Sequence, residues 1–215
     1  MFEFDLVVDD ELPSQTMKMT ELNWSKAFTV FGIDFANIAA IYHMEAENFY
    51  EKILDPRSNL WRTQVAGSHA VKGFEDQLKF TAGNWQGQLA LRYASPDKET
   101  INGRTEVLNI PKLKIKLGLV YQLSEQWRIA GFVDHWSDTF TEANLINSPG
   151  TEITKIDAWT TLNLHLVRQT EQLSYGLYLE NVFNQRYFHA NARGTSPLQY
   201  LQAPRNLRLQ FSYRF

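Results

Sequence analysis

The sequence predicts an all-β protein: an antiparallel sheet of about ten strands with the patterning of a transmembrane β-barrel. Three observations carry that expectation. The last ten residues alternate without error, with Leu207, Leu209, Phe211, Tyr213 and Phe215 on one face and Arg208, Gln210, Ser212 and Arg214 on the other. Period two between an apolar and a polar set marks a strand lying between two environments. The same pattern recurs at Leu113, Ile115, Leu117, Leu119 and Tyr121, which oppose Lys112, Lys114, Lys116 and Gly118. Finally, the connections alternate in length. Short ones lie near Gly32, Gly83, Glu125 and Glu171, and long ones begin near Asp9, Tyr50, Ser95, Ser137 and Asn184. Tight periplasmic turns and long extracellular loops are the layout of an outer-membrane barrel.

Taken in order, the first strand is expected over Phe2 to Val8 and the second over Thr16 to Phe28. Phe31-Gly32 marks a tight turn. The third strand runs from Ile33 to about Phe49; a helix over Ala36 to Glu47 competes, because Ala and Glu favour helix. Tyr50 to Leu60 reads as a loop, followed by a strand from Trp61 to Phe80 and another from Trp85 to Tyr93. Ser95 to Pro111 is polar and reads as a loop. Strands follow over Leu113 to Tyr121 and Trp127 to Trp136, then a long loop from Ser137 to Lys155. The last three strands are Ile156 to Leu166, Leu173 to Leu179 and the terminal one, with a long connection from Asn184 to Pro204 before it. Phe31, Phe80, Trp85, Tyr121, Trp127, Tyr175 and Phe215 all sit near a short turn or the terminus, as an interfacial aromatic girdle requires.

Composition agrees. The 215 residues suffice for one sizeable domain. Mean hydropathy is −0.36, and no run of about 18 apolar residues exists for a spanning helix; a barrel needs none, since only alternate residues meet lipid. A net charge of −3 gives no argument for nucleic acid. The absence of Cys excludes disulfide and thiolate chemistry. The start, Met1-Phe2-Glu3-Phe4-Asp5, lacks the basic and apolar regions of a signal peptide.

Several stretches resemble the carboxy-terminal half of TonB-dependent outer-membrane receptors of the siderophore-receptor type. Asn109-Ile110-Pro111-Lys112-Leu113-Lys114 is similar to that family's lead into a barrel strand. Leu179-Glu180-Asn181-Val182-Phe183-Asn184-Gln185-Arg186-Tyr187 resembles its "N-L-F-[DN]-x-x-Y" segment, with Val182 in place of Leu. Ala203-Pro204-Arg205 resembles its lead into the final strand, and Gly73-Phe74-Glu75 a looser element. The set spans residues 71 to 215 in the family's order. The resemblance implies a 22-stranded barrel with a plugged lumen, and uptake of a scarce nutrient, most often a ferric siderophore. It implies a bacterial outer-membrane location, with lipid, the barrel-assembly machinery and the remainder of a receptor as partners. TonB would be reached only through segments not seen in this sequence. Residues 1–215 are then expected to be a partial barrel domain without a plug, unable to transport alone.

Candidate site residues follow from the faces. Arg92, Lys112, Lys114, Lys116 and Arg208 lie on polar faces toward long-loop ends, where clustered cations would attract an anionic chelate. The competing expectation is that they simply solvate the lumen or pair with a plug carboxylate, since Asp134, Asp157 and Glu180 share the region. In the loops, Tyr50, Arg57, Trp61, Arg193 and Tyr200 are candidates for ligand contact, Arg and aromatics being common hot spots. Leu209, Phe211, Tyr213 and Phe215 form the expected assembly signal. No metal spacing appears among the five His, and no cofactor is implied. Asp134-His135 is a poor dyad, because strand neighbours point to opposite faces. No catalytic motif appears, so an enzyme is not expected. Two alternatives stay open: a complete small outer-membrane barrel, such as a surface protease, and a soluble lipocalin-like barrel with its apolar face inside.

Overall fold

The computed structural model describes residues 12–54, 57–58, 61–100, 109–144, 151–189 and 200–214. The expected strand Phe2 to Val8, Arg193 and Phe215 lie outside the described residues. The described residues hold only β-strands as regular structure. Nine of them form one sheet: β1 (Thr16–Val30), β2 (Ile33–Leu54), β3 (Trp61–Ala82), β4 (Trp85–Thr100), β5 (Leu113–Gln122), β6 (Trp127–Trp136), β9 (Trp159–Gln169), β10 (Leu173–Glu180) and β13 (Asn206–Tyr213). Each pairs antiparallel with the next in that order. The connection between β6 and β9 carries a hairpin, β7 (Thr139–Asn144) with β8 (Thr151–Ile156). That between β10 and β13 carries a two-residue ladder, β11 (Phe188–His189) with β12 (Tyr200–Leu201). Among the described residues β1 and β13 are the sheet's two edges.

Three boundaries differ from expectation. β2 reaches Leu54 and β4 reaches Thr100, both inside stretches expected as loops. The strand expected from Ile156 starts at Trp159, and Ile156 closes the β7–β8 hairpin instead. The helix competing for Ala36 to Glu47 is absent; that stretch is strand. The reason is common to the extensions and to β2. β2 is paired along most of its length by β1 on one side and β3 on the other. A ladder of backbone hydrogen bonds overrides the local preference of Ala and Glu, and it continues where side chains turn polar. At the first tight turn both central residues, Phe31 (φ 51°) and Gly32 (φ 75°), have positive φ, which matches the twist of a two-residue hairpin.

The two faces differ sharply. One row crosses all nine strands through direct register partners: Phe28, Phe35, Phe80, Gly87, Leu119, Gly131, Leu164, Leu179 and Leu207. Every member is apolar or glycine. This face is uncovered: Leu89, Leu117, Leu164, Leu177 and Phe211 are 37%, 43%, 39%, 39% and 71% exposed. A lipocalin-like barrel would bury those five around its ligand, so that alternative fails. At the short-turn end of the same face the aromatics meet. Phe28 stacks on Phe35 at 5.2 Å, Trp85 packs tilted against Tyr121 at 4.4 Å, and Trp127 meets Tyr175 edge-on at 5.8 Å. Arg168 joins the last pair, donating to the Tyr175 hydroxyl at 2.8 Å.

Candidate functional site

On the opposite face another register row reads Asn23, Ala40, Glu75, Arg92, Lys114, Trp136 and Trp159, from β1 to β9. Antiparallel pairing places side chains of directly opposed residues within reach of one another. The charges here are ordered. Arg92 Nε lies 3.1 Å from Glu75, Lys116 Nζ 3.9 Å from Asp134, and Arg208 3.6 Å from Glu180. These pairs are exposed, so each stabilises by no more than about 1 kcal/mol. Lys114 differs. It has no carboxylate within ion-pair distance among the described residues, and its ammonium sits 3.7 Å over the Trp136 ring.

Trp136 is the centre of an aromatic cluster toward the long loops. It stacks on Trp159 at 5.3 Å and on His189 at 5.3 Å with an interplanar angle of 9°. Tyr187 packs on Trp159 at 4.4 Å. The Trp136 indole donates to Asp134 at 2.9 Å, so one carboxylate serves both Lys116 and the indole. His189 Nε2 is shut from solvent without a partner among the described residues. Burial, with Lys114 adding to it against Asp134, holds the His189 imidazole below its ordinary pKa. Burial likewise raises the Tyr187 phenol.

The motif from Leu179 to Tyr187 explains how His189 arrives there. Asn181 ends β10 in the left-handed region (φ 49°) and is buried. Its side chain accepts from Gln185 N–H at 3.0 Å and donates to the carbonyls of Gln185 at 2.9 Å and Ala203 at 3.2 Å. Its own N–H donates to Asn163 Oδ1 at 2.8 Å. Asn184 Oδ1 then accepts from Arg205 N–H at 3.0 Å. One asparagine thus ties the end of β10 to the start of β13 and directs the chain across Trp159. The stretch from Asn109 acts similarly: its N–H donates to Phe140 O at 2.7 Å, and Ser137 Oγ accepts from Leu113 N–H at 3.1 Å.

Among the sequence-predicted residues, Arg92 and Lys114 are brought together as register partners. Lys112 is exposed at the start of the same face, its carbonyl accepting from Ala94 N–H at 2.9 Å. Arg57 is an exposed residue of the β2–β3 connection. Trp61 opens β3 opposite Leu54. Glu75 lies 14 positions (75 − 61) further along β3, about 45 Å at the usual rise per residue. Leu209, Phe211 and Tyr213 line the exposed edge strand β13. Sequence reasoning missed the Trp136–Trp159–Tyr187–His189 cluster. Its one signal was a Trp at the long-loop end of two strands.

Solved structures match this sheet closely. The pyoverdine outer membrane receptor FpvA of Pseudomonas aeruginosa PAO1 superposes with a TM-score of 0.73 over 95% of this chain and 30% of its own, at 16% identity. The FrpB iron transporter of Neisseria meningitidis gives 0.72 over 98% and 32%, at 14% identity. The ferric-catecholate import receptor Fiu of E. coli K12 gives 0.70 over 96% and 29%, at 14% identity. This is the fold of a TonB-dependent receptor barrel. The chain spans about 30% of the length of those receptors, so it corresponds to part of their barrel wall. One of the three is an outer membrane receptor bound to pyoverdine, one an iron transporter and one an import receptor. No protein-family model matches the sequence, and no curated protein matches it either.

Proposed function

We propose that residues 1–215 supply part of the wall of an outer-membrane receptor barrel that takes up a scarce nutrient, a ferric siderophore or similar anionic chelate. The observation that carries this is the apolar row from Phe28 to Leu207 on an uncovered face, backed by the charged row through Glu75, Arg92 and Lys114. Such a sheet fits lipid on one side and an aqueous lumen on the other. Lipid would lie against Leu89, Leu117 and Leu177, and the lumen against Lys114, Lys116 and Arg208. β2 and β3, at 22 residues each, exceed the 9–11 or so that cross a bilayer, so their long-loop ends project outward. Lys114 with its Trp136 platform is the contact offered to an anionic ligand, with Arg92 and Lys112 beside it; Arg57 and Arg193 in the loops, and Trp61 at the outer end of β3, would meet ligand earlier, on its way in. Leu209, Phe211 and Tyr213, with Phe215, would be read by the barrel-assembly machinery. Support for the ligand class comes from FpvA, solved with pyoverdine bound.

The natural absence of Cys makes a direct test simple. Lys116→Cys and Leu117→Cys proteins are expressed in Gram-negative cells, the outer membrane is isolated, and both are treated with a water-soluble maleimide. Labelling of Lys116→Cys with protection of Leu117→Cys is expected. Equal labelling of the two, or recovery of folded protein in the soluble fraction, would overturn the proposal.

A further inference from the structure

One patch on the apolar face breaks its character. Lys26, Asn37 and Asp76 lie on β1, β2 and β3 among the outward-facing residues. Lys26 is the register partner of Asn37, and Asn37 Nδ2 donates to Asp76 Oδ1 at 2.6 Å. Lys26 has no carboxylate within ion-pair distance among the described residues. On the short-turn side the patch is bounded by Phe28, Phe35 and Phe80. On the long-loop side it is bounded by the register partners Leu22, Ile41 and Phe74. Beside it Ala39, fully buried, leaves the surface of β2 low. The same register row continues through Leu78, Leu89 and Leu117 without another polar residue.

Charges on a lipid-facing stretch are costly, and ionisable groups within membranes usually face protein or water with an opposite charge at hand. The order across the three strands is cation, amide, carboxylate. A twofold axis along the membrane normal, passing by Asn37, reverses that order in a facing copy. Lys26 then meets Asp76 of the partner subunit, and the two Asn37 amides meet each other. An isologous contact needs this self-complementarity, and amides are common glue between membrane segments. Resting on the membrane reading above, we propose that this face is a homodimer contact within the outer membrane, with Lys26, Asn37 and Asp76 at its centre.

The test uses charge exchange. Lys26→Asp and Asp76→Lys proteins, carrying different tags, are expressed in the outer membrane separately and together. A Lys26→Asp copy presents two acids and an Asp76→Lys copy two bases, so each repels itself and complements the other. Co-purification of the two different tags, with loss of self-association by each variant alone, is the expected result. Neutralisation of the charges within one chain predicts no such mutual preference, and its absence would overturn the proposal. A second measurement guards against poor assembly of the charge variants. Asn37→Cys protein should give cross-linked dimer with a short bis-maleimide several-fold above Leu117→Cys protein. Equal yields would also overturn it. Protein absent from the outer membrane would instead defeat the membrane reading itself, and with it this contact.

Discussion

The Lys114 ammonium sits 3.7 Å over the Trp136 ring, and the two residues are direct register partners on β5 and β6. A cation held on an aromatic face keeps its charge available, unlike one matched by a carboxylate. Arg92 and Lys116 have such matches in Glu75 and Asp134. Lys114→Met is therefore expected to weaken binding of an anionic ferric chelate about fivefold, the value of about 1 kcal/mol of charge interaction. Lys116→Met is expected to do less. Titration of each protein with labelled chelate at low and high salt checks this; a larger loss from Lys116→Met would count against the assignment.

Leu117 and Lys116 are neighbours on β5 with opposite surroundings. An arginine on the lipid face destabilises by about 2–4 kcal/mol near the bilayer midplane. Leu117→Arg should sharply reduce the assembled protein in the outer membrane, whereas Lys116→Leu should leave it near normal. Surface levels after protease shaving give the comparison.

Asn181 holds three elements through one side chain. Asn181→Ala removes the side-chain partner of backbone groups of half-buried Gln185 and of Ala203, at about 1 kcal/mol for each hydrogen bond lost. Its positive φ adds strain for a residue with a Cβ and no amide. The expected outcome is a lowered midpoint of unfolding and early proteolysis near residues 185–205. Asn181→Gly, which relieves only the φ, should recover a small part of the loss.

The packing of His189 on Trp136 and Trp159 should depend on pH. The imidazole is held below its ordinary value of 6.5 by burial. Between the lowered value and 6.5 the detached chain binds more protons than the packed one, so packing strengthens as pH rises through that window. It is complete above 6.5 and weakens as pH falls below. Protection of the amides of residues 185–189, taken relative to their intrinsic exchange rate at each pH, should be lower at about pH 5.5 than at about pH 7.5, and His189→Phe should remove most of that difference. Asp134 and Lys114 are the charged groups acting on this ring, so the control is Asp134→Asn, which should enlarge the effect.

Much of the fold was legible because alternation is a local property. Leu113 to Tyr121 names its own two faces, and a one-residue slip would put its two lysines in the apolar layer. Glu21 to Trp24 pairs in unbroken register with Ala39 to Tyr42, a match no local pattern specifies. Asn181 was legible as part of a motif, but its work was not, since its partners are Gln185 and Ala203. Asp76 read as one more member of a clean alternation with Phe74, Leu78 and Phe80. That Asn37, 39 positions earlier, donates to it could not be seen.

By itself, then, the sequence determined the class of the fold, the direction each strand faces and the side bearing long loops. Each depends on residues a few positions apart. The tertiary structure alone decided which charges are matched, that Lys114 rests on Trp136, that His189 closes over two tryptophans, and that Lys26, Asn37 and Asp76 share one patch. Those relations depend on strand order and register, which bring together residues 11 to 53 positions apart. A local pattern carries no information about such pairings until the sheet has formed.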